Sequence, residues 1–134
     1  MSSFSMFESV TFTITKAVTP LLSGRCSAST SAACFEFIKQ NATRNDPASV
    51  VAAIDTFAAN NTMMNVGATK GAIIDAKNRQ KTPRAMAEIG AYTGYSAVRF
   101  ANTQREAAKA AGVDSHYYSF EYSPEFAARV REVP

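Results

Sequence analysis

The sequence predicts an α/β fold with a parallel sheet. Two predicted strands, 85–89 and 116–122, each lead into a predicted helix, and further helices precede them. Strands that alternate with helices are typical of a parallel sheet with helical crossovers. With 134 residues, of which 46% are hydrophobic and 19% charged, the chain has the length and composition of one globular domain.

The first part of the chain differs in composition from the rest. Residues 1–31 are rich in Ser and Thr and contain few charged residues, which predicts a flexible extension. A short strand is the alternative, because the apolar Val10, Phe12 and Ile14 alternate with threonines. Residues 32–134 then form the folded domain.

Helices are predicted ahead of the first strand of this domain. Phe35 begins an apolar patch that is typical of a short helix ending at Gln40. Asp46 followed by Pro47 predicts a helix start, because an Asp side chain accepts hydrogen bonds from free amides and proline lacks an amide that would need one. Apolar residues then recur at helical spacing: Val50, Val51, Ile54, Phe57 and Ala58. Residues 68–79 form another helix candidate.

Two strand-to-helix units follow. Residues 85–89 are predicted to be a short strand, and 96–111 a helix closed by Gly112. The aromatic residues of 116–122 predict a second strand. Ser123-Pro124-Glu125 predicts the start of a last helix of about ten residues.

The turn between the first strand and its helix contains two glycines, Gly90 and Gly94. Because glycine has no Cβ, a ligand can approach the backbone closely at such positions. Three residues separate the two glycines and no third glycine opens the helix, so the dinucleotide fingerprint is absent. A pyrophosphate ligand is therefore disfavoured.

An acidic residue lies at the end of each predicted strand, Glu88 in the first and Glu121 in the second. Ligands of open α/β sheets bind at the carboxyl ends of the strands. Two carboxylates there suit a cationic ligand that carries a ribose, with Glu121 accepting both ribose hydroxyls. A solvated strand-end acid is the alternative for Glu121.

Two segments resemble one enzyme family. Glu-Ile-Gly-Ala-Tyr-Thr-Gly-Tyr-Ser-Ala-Val-Arg at 88–99 resembles the S-adenosylmethionine-binding motif of catechol O-methyltransferases, and Met-Asn-Val-Gly at 64–67 resembles their upstream cofactor segment. The similarity runs from about Asp46 to Glu125. It implies the N-terminal part of a Rossmann-like S-adenosylmethionine-dependent methyltransferase fold with an incomplete sheet, so that 32–134 would be an incomplete methyltransferase domain.

The resemblance also implies a cofactor site. Its expected members are Met64, Val66, Glu88, Gly90, Tyr92, Gly94, Tyr95, Ser96 and Glu121. Glu88 would lie near the methionyl ammonium group and Ser96 would donate to the methionyl carboxylate, while Met64 would lie beside the sulfonium. Val66 would contribute its backbone, and the two tyrosines would line the pocket. In isolation, such tyrosines are more often packing groups.

Catalysis in this family needs more than the cofactor. Magnesium holds both oxygens of a catechol-type small molecule and a lysine removes a proton, and the family places these groups on later segments. This chain stops at Pro134, so we expect a fragment without catalytic residues that is inactive alone. Ala68 and Thr62 depart from the family pattern, which weakens the expectation of catechol specificity.

Other functional classes have less support. The net charge is +3, but basic and acidic residues are interspersed, so no nucleic-acid partner is expected. Cys26 and Cys34 lack the spacing of a zinc site or a disulfide framework, and His116 lies at the start of its strand, away from the predicted site. No membrane span or leader segment is apparent, which predicts a cytoplasmic protein. The oligomeric state stays open.

Two alternatives to an enzyme fragment stay open. The chain could be a non-catalytic remnant that binds a nucleotide or S-adenosylmethionine. It could also be an α/β domain unrelated to methyl transfer, but this reading leaves the co-occurrence of both motifs unexplained.

Overall fold

The computed structural model describes the backbone of residues 10–13 and the whole of 28–134. In chain order the elements are β1 (Val10–Thr13), α1 (Ala28–Asn41), α2 (Pro47–Ala58), α3 (Gly67–Lys81), β2 (Ala85–Ile89), α4 (Tyr95–Ala111), β3 (His116–Phe120) and α5 (Pro124–Arg131). The three strands form one parallel sheet in the order β1-β3-β2. The prediction of a parallel α/β arrangement is confirmed.

The predicted elements differ from the observed ones mainly at their ends. The predicted helix at 35–40 is part of the longer α1, which begins before residue 32. The second predicted strand ends at Phe120 instead of 122, and α5 has 8 residues. Within the N-terminal extension, β1 pairs in parallel with β3, while Ile14 lies outside the described residues.

Local sequence explains where several helices begin and end. Asp46 caps α2 by accepting hydrogen bonds from the amides of Ala48 at 3.0 Å and Ser49 at 3.3 Å. Ser123 caps α5 in the same way. Gly112 ends α4 in the left-handed conformation (φ 65°), as the sequence predicts.

Helix α4 is the centre of the core, because it packs on both sides. One apolar cluster joins it to α1 and α2, and its buried members are Cys34, Ile38, Val50, Ala53, Ile54, Tyr95, Val98 and Val133. A second cluster joins it to β3 and α5, with Ala91, Ala97, Phe100, Tyr117 and Val130 buried. The position of α4 therefore fixes the turn that precedes it relative to both layers.

A polar cluster joins α3 to α4. Asp75 accepts hydrogen bonds from Arg99 Nε at 2.8 Å and from the Thr103 hydroxyl at 3.0 Å. Arg99 also donates to the Tyr95 hydroxyl at 2.9 Å. Gly71 makes room for this cluster, since a Cβ there would lie 2.7 Å from the Arg99 guanidinium carbon. The two helices are thus held together by charge and hydrogen bonds as well as by packing.

The sheet is covered unequally within the described part of the chain. Met86 and Tyr117 contact the second apolar cluster below α4. On the opposite face of β2, Ala85 and Ala87 are exposed and Ile89 is 93% exposed. The candidate site at the strand ends therefore lies on the side of the sheet that the helices cover.

We expect the α3–α4 ion pair to contribute substantially to stability. Asp75→Ala should lower the free energy of unfolding by about 2 to 3 kcal/mol, because Arg99 and Thr103 lose a partly buried acceptor. Urea denaturation checks this value. Glu36→Ala is the control, since Glu36 pairs with Lys39 on the surface at 3.1 Å and should matter by about 0.5 kcal/mol or less. Equal losses in the two variants would contradict the prediction.

Candidate cofactor site

The turn at 90–94, here called the glycine turn, links β2 to α4. Gly90 has φ 90° and Gly94 has φ 86°, conformations that side-chain-bearing residues rarely adopt. The Gly90 amide donates to the Phe120 carbonyl at 2.7 Å, which continues the pairing of β2 with β3 by one residue. Tyr92 also has positive φ, at 51°. The backbone conformation at 90 and 94 therefore favours glycine at both positions.

The two glycines have different surroundings. A Cβ at Gly90 would meet nothing within 4 Å, so open space adjoins the backbone there. A Cβ at Gly94 would lie 3.2 Å from Val130 Cγ1 of α5. Gly90 thus borders the space available to a ligand, whereas Gly94 allows α5 to pack against the start of α4.

Glu121 lies immediately after β3 and is 8% exposed. Its Oε2 accepts hydrogen bonds from the amides of Ala91 at 2.8 Å and Tyr92 at 2.9 Å, and its Oε1 accepts from the amide of Ser123 at 2.8 Å. This carboxylate therefore joins the glycine turn to the start of α5. The alternative of a solvated strand-end acid does not describe it.

Glu88 lies beside Glu121 at the same end of the sheet. Glu88 Oε2 accepts a hydrogen bond from the Ser96 hydroxyl at 2.6 Å, and Oε1 accepts from the Ser119 hydroxyl at 2.5 Å. The Tyr117 hydroxyl also favours the ionised form of this carboxylate. Since hydroxyls carry no charge, these contacts orient Glu88 without neutralising it.

Burial raises the pKa of Glu88 above its ordinary value, and the charge of Glu121 raises it further, while the three hydroxyls act in the opposite direction. Burial and the Glu88 charge likewise raise the pKa of Tyr117, which therefore stays a neutral donor. Among the described residues, neither Glu88 nor Glu121 forms an ion pair with a basic side chain. A cation placed here would relieve the repulsion between the two acids.

Two helix starts near the glycine turn lack side-chain caps. No side-chain hydrogen bond caps α3 at Val66 or α4 at Gly94, in contrast to α2 and α5. Val66 packs against both apolar clusters, which include Ala91 and Tyr95 at the turn. Free amides and the helix dipole at such ends favour an anionic group.

Several predicted site residues have other partners than the resemblance implies. The single hydroxyl proton of Ser96 goes to Glu88, so in this arrangement Ser96 does not donate to a ligand carboxylate. The Tyr95 hydroxyl lies 3.1 Å from Asp55 Oδ2, within the helix layer. The Tyr92 ring packs edge-on against Phe126 at 5.3 Å between centroids. Met64 is 74% exposed, so it is available to a ligand without being fixed by packing.

Ser119 and Tyr117 were not among the predicted site residues, although both lie beside Glu88. A signal was present, because strand side chains alternate between faces and these residues lie two and four positions before Glu121. Ser119 is also the one small polar residue of β3. In the parallel register of β2 and β3, Ser119 lies opposite Glu88.

The described residues contain little else that could carry chemistry. No group of three His, Cys, Asp or Glu side chains among them could hold a metal ion. His116 is exposed at the start of β3, and burial raises the pKa of the Cys34 thiol to about 11, which keeps it protonated. Cys26 lies outside the described residues. No helix in the described part of the chain combines the length and apolar character needed to span a membrane.

Comparison with known proteins identifies relatives of this site. The chain is 38% identical over 97 residues to catechol O-methyltransferase B of Danio rerio, a match that covers 72% of the chain and 34% of the relative. It is 38% identical over 95 residues to catechol O-methyltransferase of Bos taurus, covering 70% of the chain and 32% of the relative. Over that region, the chain is similar to catechol O-methyltransferases.

The match covers only part of the length of each relative. The catechol O-methyltransferase of Mus musculus also matches at 38% identity over 97 residues, again 72% of the chain and 34% of the relative. The chain thus spans about a third of the length of the curated relatives it matches. No family model matches the chain.

We expect Gly94 to be the less replaceable of two left-handed glycines. Gly112→Ala should lower the free energy of unfolding by about 1 to 2 kcal/mol, which is the backbone penalty of a Cβ at positive φ. Gly94→Ala should cost more, because its Cβ also meets Val130, whereas Gly112 has open space. Thermal denaturation of both variants measures the difference. A smaller loss for Gly94→Ala would show that α5 does not pack as described.

We expect Glu88 to oppose stability at neutral pH. Its pKa in the folded chain is raised, so the folded state binds the proton more tightly than the unfolded state, and stability falls as pH rises from 4.5 through the raised pKa. Glu88→Gln removes this titration. The free energy of unfolding of the variant minus that of the parent should therefore become more positive across this pH interval. A difference that is constant with pH, measured by urea denaturation, would contradict the assignment.

Proposed function

We propose that this chain binds S-adenosylmethionine as the cofactor-binding part of a catechol O-methyltransferase-like protein. The observation that carries the proposal is the pair of acids at the glycine turn. Glu88 and Glu121 lie at one sheet end, the charge of Glu121 disfavours ionisation of Glu88, and no basic side chain of the described residues neutralises either. A cationic ligand is the simplest complement to this arrangement.

The residues present fit the parts of this cofactor. Glu88 would hold the methionyl ammonium group, and the uncapped start of α3 or α4 would receive the methionyl carboxylate. The open space at Gly90 allows the ligand to reach the backbone. When bound, S-adenosylmethionine supplies an electrophilic methyl group on its sulfonium. The exposed Met64 would pack beside that sulfonium.

The proposed contact of Glu121 with ribose has a geometric condition. A carboxylate offers about four acceptor positions, two on each oxygen. The amides of Ala91 and Tyr92 fill those of Oε2, and the amide of Ser123 fills one on Oε1. One ribose hydroxyl can therefore bind directly, and accepting both requires the loss of an amide hydrogen bond.

We further propose that methyl transfer to a catechol-type small molecule needs polypeptide beyond the described residues. Magnesium does not fit the described part of the chain, since no cluster of carboxylate, His or Cys side chains there could hold it. Cofactor binding without turnover is thus the activity proposed for the 134-residue chain, in a cytoplasmic setting and without a nucleic-acid or membrane partner.

We expect Glu121→Ala to weaken S-adenosylmethionine binding at least tenfold, because both the ribose acceptor and the support of the glycine turn are lost. Isothermal titration of the purified 134-residue chain measures the dissociation constant. Glu125→Ala is the matched control, since Glu125 lies four residues away, is exposed, and pairs with Arg129 at 3.6 Å. It should bind like the parent.

The same preparation tests the catalytic part of the proposal. Incubation with S-adenosylmethionine, magnesium and catechol should give no methylated product. Parent chain that fails to bind S-adenosylmethionine would overturn the binding proposal. Turnover of catechol by this chain would overturn the proposal that further polypeptide is required.

A further inference from the structure

Ser119 is a buried hydroxyl placed directly opposite Glu88. It is 1% exposed, lies one residue before the end of β3, and donates to Glu88 Oε1 at 2.5 Å. In the parallel register Glu88 faces Ser119, so the contact follows from strand pairing itself. The hydroxyl is therefore fixed by the sheet and cannot follow Glu88 elsewhere.

Tyr117 adds a second fixed hydroxyl from the same strand. Its side chain points to the same face two residues earlier, is 3% exposed, and its hydroxyl favours the ionised form of Glu88. Ser96 supplies a third donor from the first turn of α4. The Ser119 and Ser96 hydroxyls occupy two of the about four acceptor positions that a carboxylate offers, so acceptor capacity remains for a ligand.

We propose that Ser119, assisted by Tyr117, is a positioning residue that holds Glu88 as an oriented carboxylate with an acceptor position open to a ligand ammonium group. The inference deepens the proposed function and rests on it. Hydroxyl donors suit this task, because they favour the ionised carboxylate by hydrogen bonds yet leave its charge available to a cation. A lysine or arginine at position 119 would instead neutralise Glu88.

The groups that face Glu88 come from every element around it. Ser119 and Tyr117 belong to β3, Ser96 belongs to α4, and Glu121 follows β3. Glu121 is the acidic group among these, and its charge disfavours ionisation of Glu88. Loss of one hydroxyl donor therefore leaves burial and Glu121 less opposed, so that Glu88 takes up a proton at a higher pH.

The test follows the Glu88 carboxyl group directly. Carbon-13 NMR of the Glu-labelled chain gives its titration midpoint, with Glu88→Gln identifying the signal. In Ser119→Ala we expect the midpoint to rise by about one pH unit, the effect of one hydrogen bond to a charged group. Tyr117→Phe should act in the same direction. Ser119→Thr keeps the hydroxyl and should retain the parent midpoint.

A second readout links the carboxyl group to the ligand. S-adenosylmethionine affinity should fall as the pH is lowered from neutral to mildly acidic, because Glu88 takes up a proton. In Ser119→Ala this fall should begin at a higher pH than in the parent, and the difference should equal the shift of the carboxyl midpoint. Tyr118→Phe is the control, because it removes a hydroxyl from the other face of β3 and should change neither quantity.

The outcomes separate this inference from the proposed function. An unchanged carboxyl midpoint in both Ser119→Ala and Tyr117→Phe would overturn the positioning role. A shifted midpoint with an unshifted pH dependence of binding would overturn the link to the ammonium group. If the parent chain does not bind S-adenosylmethionine, the proposed function fails, and the titration alone still decides whether Ser119 and Tyr117 set the ionisation of Glu88.

Discussion

The hydrogen bonds of the Glu121 carboxylate connect most parts of the site. One oxygen receives the amides of Ala91 and Tyr92 in the glycine turn, and the other receives the amide of Ser123 at the start of α5. Without this acceptor, buried amides of a strained turn would lack a partner, which is costly in a protein interior. The turn, the beginning of α4 and the end of β3 therefore depend on one carboxylate.

The surroundings of Glu88 lower the stability of the folded chain and leave the charge of its carboxylate available to a ligand. Glu88 is partly buried beside a second acid and is oriented by the Ser96 and Ser119 hydroxyls, and no basic side chain of the described residues forms an ion pair with it. Nearby, α3 and α4 begin without side-chain caps. Carboxylates without a basic partner and helix-start amides without a side-chain cap suit a ligand that carries both an ammonium and a carboxylate group. Local departures from stable design are expected where a ligand binds.

The contrast between capped and uncapped helices supports this view. Asp46 caps α2 and Ser123 caps α5, and the start of α5 is tied to the glycine turn through Glu121. Their caps were evident from sequence, because capping is a contact between residues two or three apart. The catechol O-methyltransferase relationship was likewise evident from short motifs. The length of α1 was underestimated, since its Ser- and Ala-rich first turns lack a strong apolar period.

The sequence by itself determined the local features: the strand at 85–89, the glycine turn, the end of α4 at Gly112, and the acids that close the strands. These features depend on neighbouring residues and on backbone conformations that only certain residues adopt. Only the tertiary structure decided that Ser119 meets Glu88, that Glu121 binds turn amides, and that Tyr95 joins Asp55. Those contacts link residues about 30 or 40 positions apart. They follow from strand order, register and helix packing, which no short stretch of sequence specifies.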